Sequence, residues 1–130
     1  MQVGVRVTVA LGSLVLFASA ASAAPGPTRL GITVWPEGRR AAESHRYTLS
    51  CAPARGTVPH PVRACRLLAR LGAAAFAPTP RGTACTDIYG GPGEAHIVGR
   101  VGGLRVDAQL RLSNGCEIAR WNRVSLVVPR

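Results

Sequence analysis

The four cysteines constrain the fold of this chain more than any other feature. Cys51, Cys65, Cys85 and Cys116 all lie downstream of an apolar N-terminal segment, and four thiols in an exported protein normally form two disulfides. Three pairings are formally possible. We favour the sequential one, Cys51–Cys65 and Cys85–Cys116, because the first bond closes a loop rich in proline and glycine and the second closes a longer excursion. In a chain-entropy model each bond stabilises the fold by roughly 3 to 4 kcal/mol, which matters for a small core.

A metal site is the rival explanation for the cysteines. The sequence contains no Cys-x-x-Cys pair, and none of its histidines has ligand spacing to a cysteine or to another histidine. The histidines are His45, His60 and His96. Structural zinc sites are usually built from closely spaced ligands of these types. We therefore expect no metal ion and no cofactor.

The N-terminal segment has the pattern of a signal peptide. Residues 1–6 carry one positive charge, residues 7–20 form an almost unbroken apolar run, and Ala-Ser-Ala at residues 21–23 supplies the small residues of a cleavage site. The run is shorter than the ~20 residues that span a bilayer, and no second run follows it. We expect cleavage after Ala23, which leaves one secreted, extracellular domain at residues 24–130, or 107 of the 130 residues.

The mature chain is strongly basic. Without Arg6, 15 arginines remain against 6 acidic residues, a formal net charge of +9, and there is no lysine. Such a charge favours acidic partners and says nothing about fold. The arginines are scattered and are not interleaved with aromatic residues, as a surface that stacks single-stranded bases would require. We therefore expect no nucleic-acid partner and, after signal cleavage, no membrane association.

Alternation of apolar and polar residues predicts two strands early in the mature chain. Residues 29–35 alternate well enough for a strand, and residues 45–51 place Tyr47, Leu49 and Cys51 on one face. The polar segment between them turns the chain, so the two strands can pair as a hairpin. Residues 52–61 hold three prolines and a glycine and predict a loop.

A helix and a long loop are predicted in the middle of the chain. Residues 62–76 carry apolar side chains at helical spacing, with a core stripe of Leu67, Leu68, Leu71 and Ala75. Residues 77–93 are rich in glycine and proline, which excludes long regular structure, yet they contain Cys85. Long loops in compact domains are uncommon unless they are functional.

The C-terminal third predicts a second hairpin and a short helix. Residues 95–101 and 104–112 flank Gly102-Gly103 and alternate as strands. A short helix is predicted around residues 118–121, and residues 125–128 are a candidate final strand. Together these elements predict an α+β fold, an antiparallel sheet of about five strands with one main and one short helix.

Several motifs in this order resemble the subtilisin-inhibitor-like family, which actinobacteria secrete. Tyr-Thr-Leu-Ser-Cys-Ala-Pro at residues 47–53 resembles the family's second strand running into its first cysteine. The other matching residues are Gly56, His60-Pro61, Ala64-Cys65, Leu68, Cys85, Ile88-Tyr89, Pro92, Ser113-Asn114 and Cys116-Glu117. The cysteine spacings agree with the family within a residue or two, and the resemblance covers nearly the whole mature chain.

The resemblance implies an inhibitor of serine proteinases, subtilisin-like or trypsin-like, that binds as a pseudo-substrate. Its reactive-site loop would be Cys85 (P3), Thr86 (P2), Asp87 (P1), Ile88 (P1′) and Tyr89 (P2′), with Asp87–Ile88 as the reactive bond. Asn114 and Cys116 would support the loop. The family usually forms homodimers by packing sheets face to face, which here would use apolar residues of the strand at 104–112.

The residue at P1 departs from the family pattern and keeps a second function class open. The family usually has a large apolar or basic residue at P1, whereas Asp87 carries a negative charge, which is costly to bury unpaired in an apolar S1 pocket. The alternative is a secreted basic binding module for an acidic envelope polymer or protein, with little or no inhibitory activity. An enzyme is not expected, because no serine stands in a Gly-x-Ser-x-Gly motif and the glycines near residue 100 follow no phosphate-binding pattern.

Overall fold

The fold is described here from a computed structural model, which covers residues 24–130 and, before them, Gly4 alone. The predicted signal peptide at residues 1–23 therefore lies outside the described residues. The elements in chain order are β1 (Thr28–Trp35), β2 (His45–Cys51), β3 (Arg55–Gly56), α1 (Pro61–Leu71), a 3-10 helix (Gly72–Phe76), β4 (Glu94–Val101), β5 (Leu104–Arg111) and α2 (Gly115–Arg123). The predicted fold class, including both disulfides, is confirmed.

The five strands form one antiparallel sheet in the order β3-β2-β1-β4-β5. Ile32 at the middle of β1 lies opposite Tyr47 on β2 and Ile97 on β4, and Ile97 in turn lies opposite Ala108 on β5. Because side chains alternate across a strand, this register puts one apolar row from each strand on the same face. The helices cover that face, and the opposite face is open to solvent.

The core lies between this inner face and the helices. Ile32, Leu49, Ile97 and Leu110 are buried on the sheet side, and Trp121 of α2 is buried against them. Full burial of a side chain of this size contributes about 1.5 to 3 kcal/mol, so these residues dominate the stability of the core. The Cys51–Cys65 disulfide joins the end of β2 to α1, with a Cα–Cα distance of 5.7 Å.

The single helix predicted over residues 62–76 is two elements. Gly72 takes a left-handed φ of 62°, which ends α1, and a 3-10 helix continues to Phe76. The change of helical pitch alters which side chains face the core. Leu68 and Ala75 are buried as predicted, but Leu71 is 39% exposed, so its assignment to the core stripe was wrong.

The strand predicted at residues 125–128 is also wrong. This segment forms consecutive turns, with the amides of Val127 and Val128 both donating to the carbonyl of Val124, at 2.8 and 2.9 Å. The indole Nε1 of Trp121 donates to the Val128 carbonyl at 3.1 Å. All three valines are buried, so their apolar character serves the core without a strand, and β3 is the fifth strand.

The apolar residues of β5 do not supply a dimer surface. Val106, Ala108 and Leu110 are buried in the core of the same chain, as is Leu112 just after the strand, and only Leu104 is well exposed. The alternation in β5 predicted an apolar face for a dimer partner, but the helices of this chain cover that face. A dimer that packs sheets face to face would instead use the outer face, which carries polar residues of β5 such as Asp107 and Gln109.

Candidate functional site

The loop at residues 77–93 connects the 3-10 helix to β4 and carries the predicted site residues. It has no helix or strand of its own among the described residues. Its most exposed large apolar side chains are Ile88 and Tyr89, at 58% and 69% of full exposure. These two adjacent side chains form a small apolar patch that a binding partner could cover.

Two backbone hydrogen bonds fix the loop on either side of its exposed centre. The Gly115 amide donates to the Thr86 carbonyl at 2.9 Å, and the Gly90 amide donates to the Leu112 carbonyl at 2.7 Å. Within the described part of the chain, the backbone amides of the three residues between these points, 87–89, donate to no other residue. This segment is therefore held at both ends and leaves its own backbone groups free for a partner.

The Cys85–Cys116 disulfide adds a covalent link directly before the exposed segment. It joins the loop to the first turn of α2, with a Cα–Cα distance of 5.4 Å. The sequence separation is 31 residues, so the bond closes a long excursion of the chain. Disulfides that close long loops remove the most conformational freedom from the open chain.

Asn114 acts on the loop through α2. It is the N-cap residue of that helix, and its Oδ1 accepts from the Glu117 amide at 3.0 Å. Such caps satisfy amides that have no partner within the helix and typically contribute about 1 kcal/mol. Because Gly115 and Cys116 follow immediately, the cap fixes the two residues that hold Thr86 and Cys85.

A buried arginine, which the sequence analysis missed, holds the entrance of the loop. Arg120 of α2 is 8% exposed. Its Nε donates to the Ala77 carbonyl at 2.9 Å, and its Nη2 donates to the Phe76 carbonyl at 3.3 Å. Its Nη1 lies 2.6 Å from Glu117 Oε2 and 3.4 Å from the Gln109 carbonyl. One guanidinium thereby connects α2, β5 and the start of the loop.

Glu117 extends this network further into the loop. Its Oε1 accepts from the hydroxyl of Thr79 at 3.2 Å. The Glu117–Arg120 pair is three residues apart on the helix, and the side chains are 20% and 9% exposed. The i,i+3 spacing of Glu117 and Arg120 indicates an ion pair in the sequence. In an arginine-rich chain, however, this spacing alone does not distinguish a buried ion pair from a solvent-exposed one.

The remaining polar groups of the loop face outward. Asp87 is exposed and forms no ion pair with any of the described residues. Since the carboxylate has no partner within this part of the chain, it can meet a charge on a binding partner without breaking an existing contact.

The histidines lie apart from this loop. His96 on β4 pairs with Asp107 on β5 at 2.8 Å, and His45 pairs with Glu43 at 3.3 Å. Within residues 24–130 no serine hydroxyl is hydrogen-bonded to either ring. The structure therefore brings together the predicted loop and support residues, and it leaves His45 and His96 on the sheet and His60 at the N-terminus of α1.

Comparison with known proteins identifies the family of this scaffold. A family model described as subtilisin inhibitor-like matches residues 26–114. No curated protein matched the sequence. Within the described residues, no helix combines the length and apolar character needed to cross a membrane.

Proposed function

Because the chain belongs to the subtilisin inhibitor-like family, we propose that it inhibits serine endopeptidases as a tight-binding pseudo-substrate. The loop around Asp87–Ile88 is the part that enters the proteinase cleft. One observation carries the proposal. Residues 87–89 are exposed between two fixed points, the Gly115–Thr86 and Gly90–Leu112 hydrogen bonds, with a disulfide beside the first.

This arrangement favours inhibition over turnover for an entropic reason. A flexible substrate loses conformational freedom when it binds, whereas a loop already fixed at both ends loses little, so more of the contact energy appears as affinity. The free amides of residues 87–89 can pair with the extended backbone of the enzyme cleft, as in other strand-like recognition.

The same anchors hold the two ends together if the bond is cut. After hydrolysis of Asp87–Ile88, the new carboxylate remains linked to α2 through Cys85 and Cys116, and the new amine remains near the Gly90–Leu112 bond. The amine therefore stays at high effective concentration and can re-form the peptide bond. The enzyme is occupied without net consumption of the inhibitor.

Asp87 at P1 indicates the kind of enzyme that binds best. A carboxylate buried without a partner in an apolar S1 pocket would cost several kcal/mol. The same carboxylate opposite a cationic S1 group forms a charge-assisted hydrogen bond. The proposed target is thus a serine proteinase with a positively charged S1 site, and inhibition of subtilisin itself is expected to be weak.

Two further features complete the proposal. Residues 1–23 act as a signal peptide, and the mature domain is secreted, in keeping with the family's usual location. The mature domain forms a homodimer through the outer face of the sheet. That face carries a shallow depression where Gly31 and Gly99 leave room for a second sheet, beside the exposed side chain of Val98.

The experiment titrates the oxidised mature protein against subtilisin, trypsin, chymotrypsin and an endopeptidase specific for acidic residues. We expect stoichiometric inhibition of the last enzyme. The matched variant Asp87→Leu changes only the P1 side chain. Of the four enzymes, it should inhibit subtilisin most strongly, because its P1 side chain is apolar and suits an apolar S1 pocket. Absence of inhibition by both proteins, or rapid cleavage of both within the loop, would rule out the pseudo-substrate mechanism for these enzymes and favour the binding-module alternative.

A further inference from the structure

A long stretch of the chain contains no negative charge. Between Glu43 and Asp87 there is no acidic residue, while six arginines fall in this interval: Arg46, Arg55, Arg63, Arg66, Arg70 and Arg81. Three of them stand on α1, and all three are exposed. α1 thus carries three arginines and no carboxylate, whereas α2 carries Glu117 beside its arginines.

The three arginines share one side of α1. Arg63, Arg66 and Arg70 are three and four residues apart, the spacing that makes helix side chains neighbours. The opposite side is buried through Ala64 and Leu68. Since the helix is also tied to β2 by the Cys51–Cys65 disulfide, the basic side is presented on a rigid support.

These arginines surround a depression. Arg63, Arg66 and Arg70 line it together with Ala69, whose short side chain leaves room, and Leu126, which the C-terminal segment contributes. Within residues 24–130, none of the three guanidinium groups forms an ion pair or a side-chain hydrogen bond. Like charges at this spacing repel, and nothing described in the chain compensates for that repulsion.

We infer that this α1 basic face, defined as Arg63, Arg66 and Arg70 around the depression, docks a linear polymer that carries phosphate groups. The planar guanidinium donates two parallel hydrogen bonds to phosphate oxygens. A tetrahedral phosphate offers oxygens in several directions, which suits guanidinium groups arranged around one depression better than the two coplanar oxygens of a carboxylate. The seven-residue span of the arginines covers about 10 Å along the helix, enough for more than one phosphate of a chain.

Other anionic partners fit this face less well. Single-stranded nucleic acid needs aromatic side chains on which its bases stack, and α1 carries none. A helix that binds a membrane surface needs a continuous apolar side that inserts into the bilayer interface. The exposed large apolar residues of α1 are Val62 and Leu71, at opposite ends of the helix.

The face is separate from the reactive-site loop, so this inference does not rest on the proposed function. α1 contacts β2 and β3 at one edge of the sheet, whereas the loop is fixed to α2 and to the residue after β5 at the other edge. Docking on a polymer would leave residues 87–89 available to a proteinase. A polymer bound at the α1 basic face would hold the protein close to the place where it is secreted.

The test measures binding of long-chain inorganic polyphosphate by the oxidised mature protein. The triple variant Arg63→Gln/Arg66→Gln/Arg70→Gln should bind at least ten-fold more weakly, and the salt dependence of log K should fall by about 2 to 3. A control variant, Arg46→Gln/Arg105→Gln/Arg123→Gln, removes the same charge from exposed sites elsewhere and should lose less than three-fold. Thermal unfolding of both variants verifies that they are folded.

Several results would overturn the inference. Equal losses of polyphosphate affinity in the two triple variants would mean that binding depends only on the net charge of the protein. Tighter binding of single-stranded DNA, of polyglutamate or of anionic vesicles than of polyphosphate, at equal charge concentration, would assign the face to another partner. Proteinase inhibition by the variant Arg63→Gln/Arg66→Gln/Arg70→Gln is measured in parallel. Because this variant leaves the reactive-site loop unchanged, that measurement tests the loop and not the α1 basic face.

Discussion

Replacing Arg120 with methionine should destabilise the protein by about 3 kcal/mol, although the residue lies outside the exposed loop. The substitution keeps most of the apolar volume but removes the donors to the carbonyls of Ala77, Phe76 and Gln109. It also leaves Glu117, which is 20% exposed, without its cation. Breaking a buried ion pair by removing one partner typically costs about 3 to 5 kcal/mol. We take the lower end, because water can reach Glu117.

The assay is reversible urea unfolding of the oxidised protein, supported by thermal unfolding. For a domain of this size, 3 kcal/mol corresponds to a fall in Tm on the order of 12 °C or more. Arg123→Met is the matched control, since it lies on the same helix but is exposed, and it should change the free energy of unfolding by less than about 0.5 kcal/mol. The double variant Glu117→Gln/Arg120→Met should be more stable than Arg120→Met alone, because it removes the unpaired carboxylate.

The same substitution should loosen the entrance of the loop. Amide hydrogen exchange at residues 77–86 should accelerate more than exchange within β4 and β5, since the loop loses the 2.9 Å contact at Ala77 and β5 loses only the 3.4 Å contact at Gln109. A loss below about 1 kcal/mol in Arg120→Met would refute the reasoning. So would a double variant less stable than the single one, or an exchange increase spread evenly over the domain.

The remaining predictions concern the other loop anchors. Asn114→Ala should lower the free energy of unfolding by about 1 kcal/mol in urea unfolding, whereas Asn114→Ser should change it by only a few tenths; equal losses would argue against capping. Gly90→Ala should speed proteolytic cleavage within the loop at temperatures where the protein stays folded, because the added Cβ would lie 2.9 Å from Ile118 Cδ1 and 3.1 Å from Leu112 Cβ. The additional substitution Ile118→Ala removes both Cδ1 and Cγ1, which would lie 2.9 and 3.0 Å from the added Cβ, and should slow the cleavage again; failure to slow it would show that the close approach to Ile118 is not the cause.

Four of the five strands follow from local sequence pattern, whereas β3 (Arg55–Gly56) lies in a segment predicted to be a loop. β2 begins and ends at the predicted residues, and β1, β4 and β5 differ from the prediction by one residue at one end. Each strand alternates clearly, and turn-forming residues bound each of them. The sequential cysteine pairing was predictable because the first bond closes a short segment rich in proline and glycine and the second closes a longer excursion, which contains β4 and β5.

The errors arose where tertiary contacts override local preference. Val124, Val127 and Val128 have strong strand propensity, yet the core buries them within turns. Leu71 follows the helical spacing, but α1 ends there and Gly72 turns the chain. Arg120 was missed for a related reason, because burial of one arginine among many depends on which carbonyls the fold places around it.

For the site, the sequence supplied the exposed segment through its family resemblance and its cysteine. It could not supply the two hydrogen bonds that bracket residues 87–89. They join Thr86 to Gly115 and Gly90 to Leu112, pairs separated by more than twenty residues. No local pattern marks an amide whose partner is that far away in the chain.

The most direct test of the central account follows the Asp87–Ile88 bond itself. Intact protein and protein already cut at this bond are each incubated with a catalytic amount of the endopeptidase specific for acidic residues, and the fraction intact is followed by mass spectrometry. If the loop is a preorganised pseudo-substrate, both samples converge slowly on the same mixture of intact and cut forms, because the anchored amine re-forms the bond. Complete hydrolysis from both starting points, with rapid further degradation of the loop, would contradict the account.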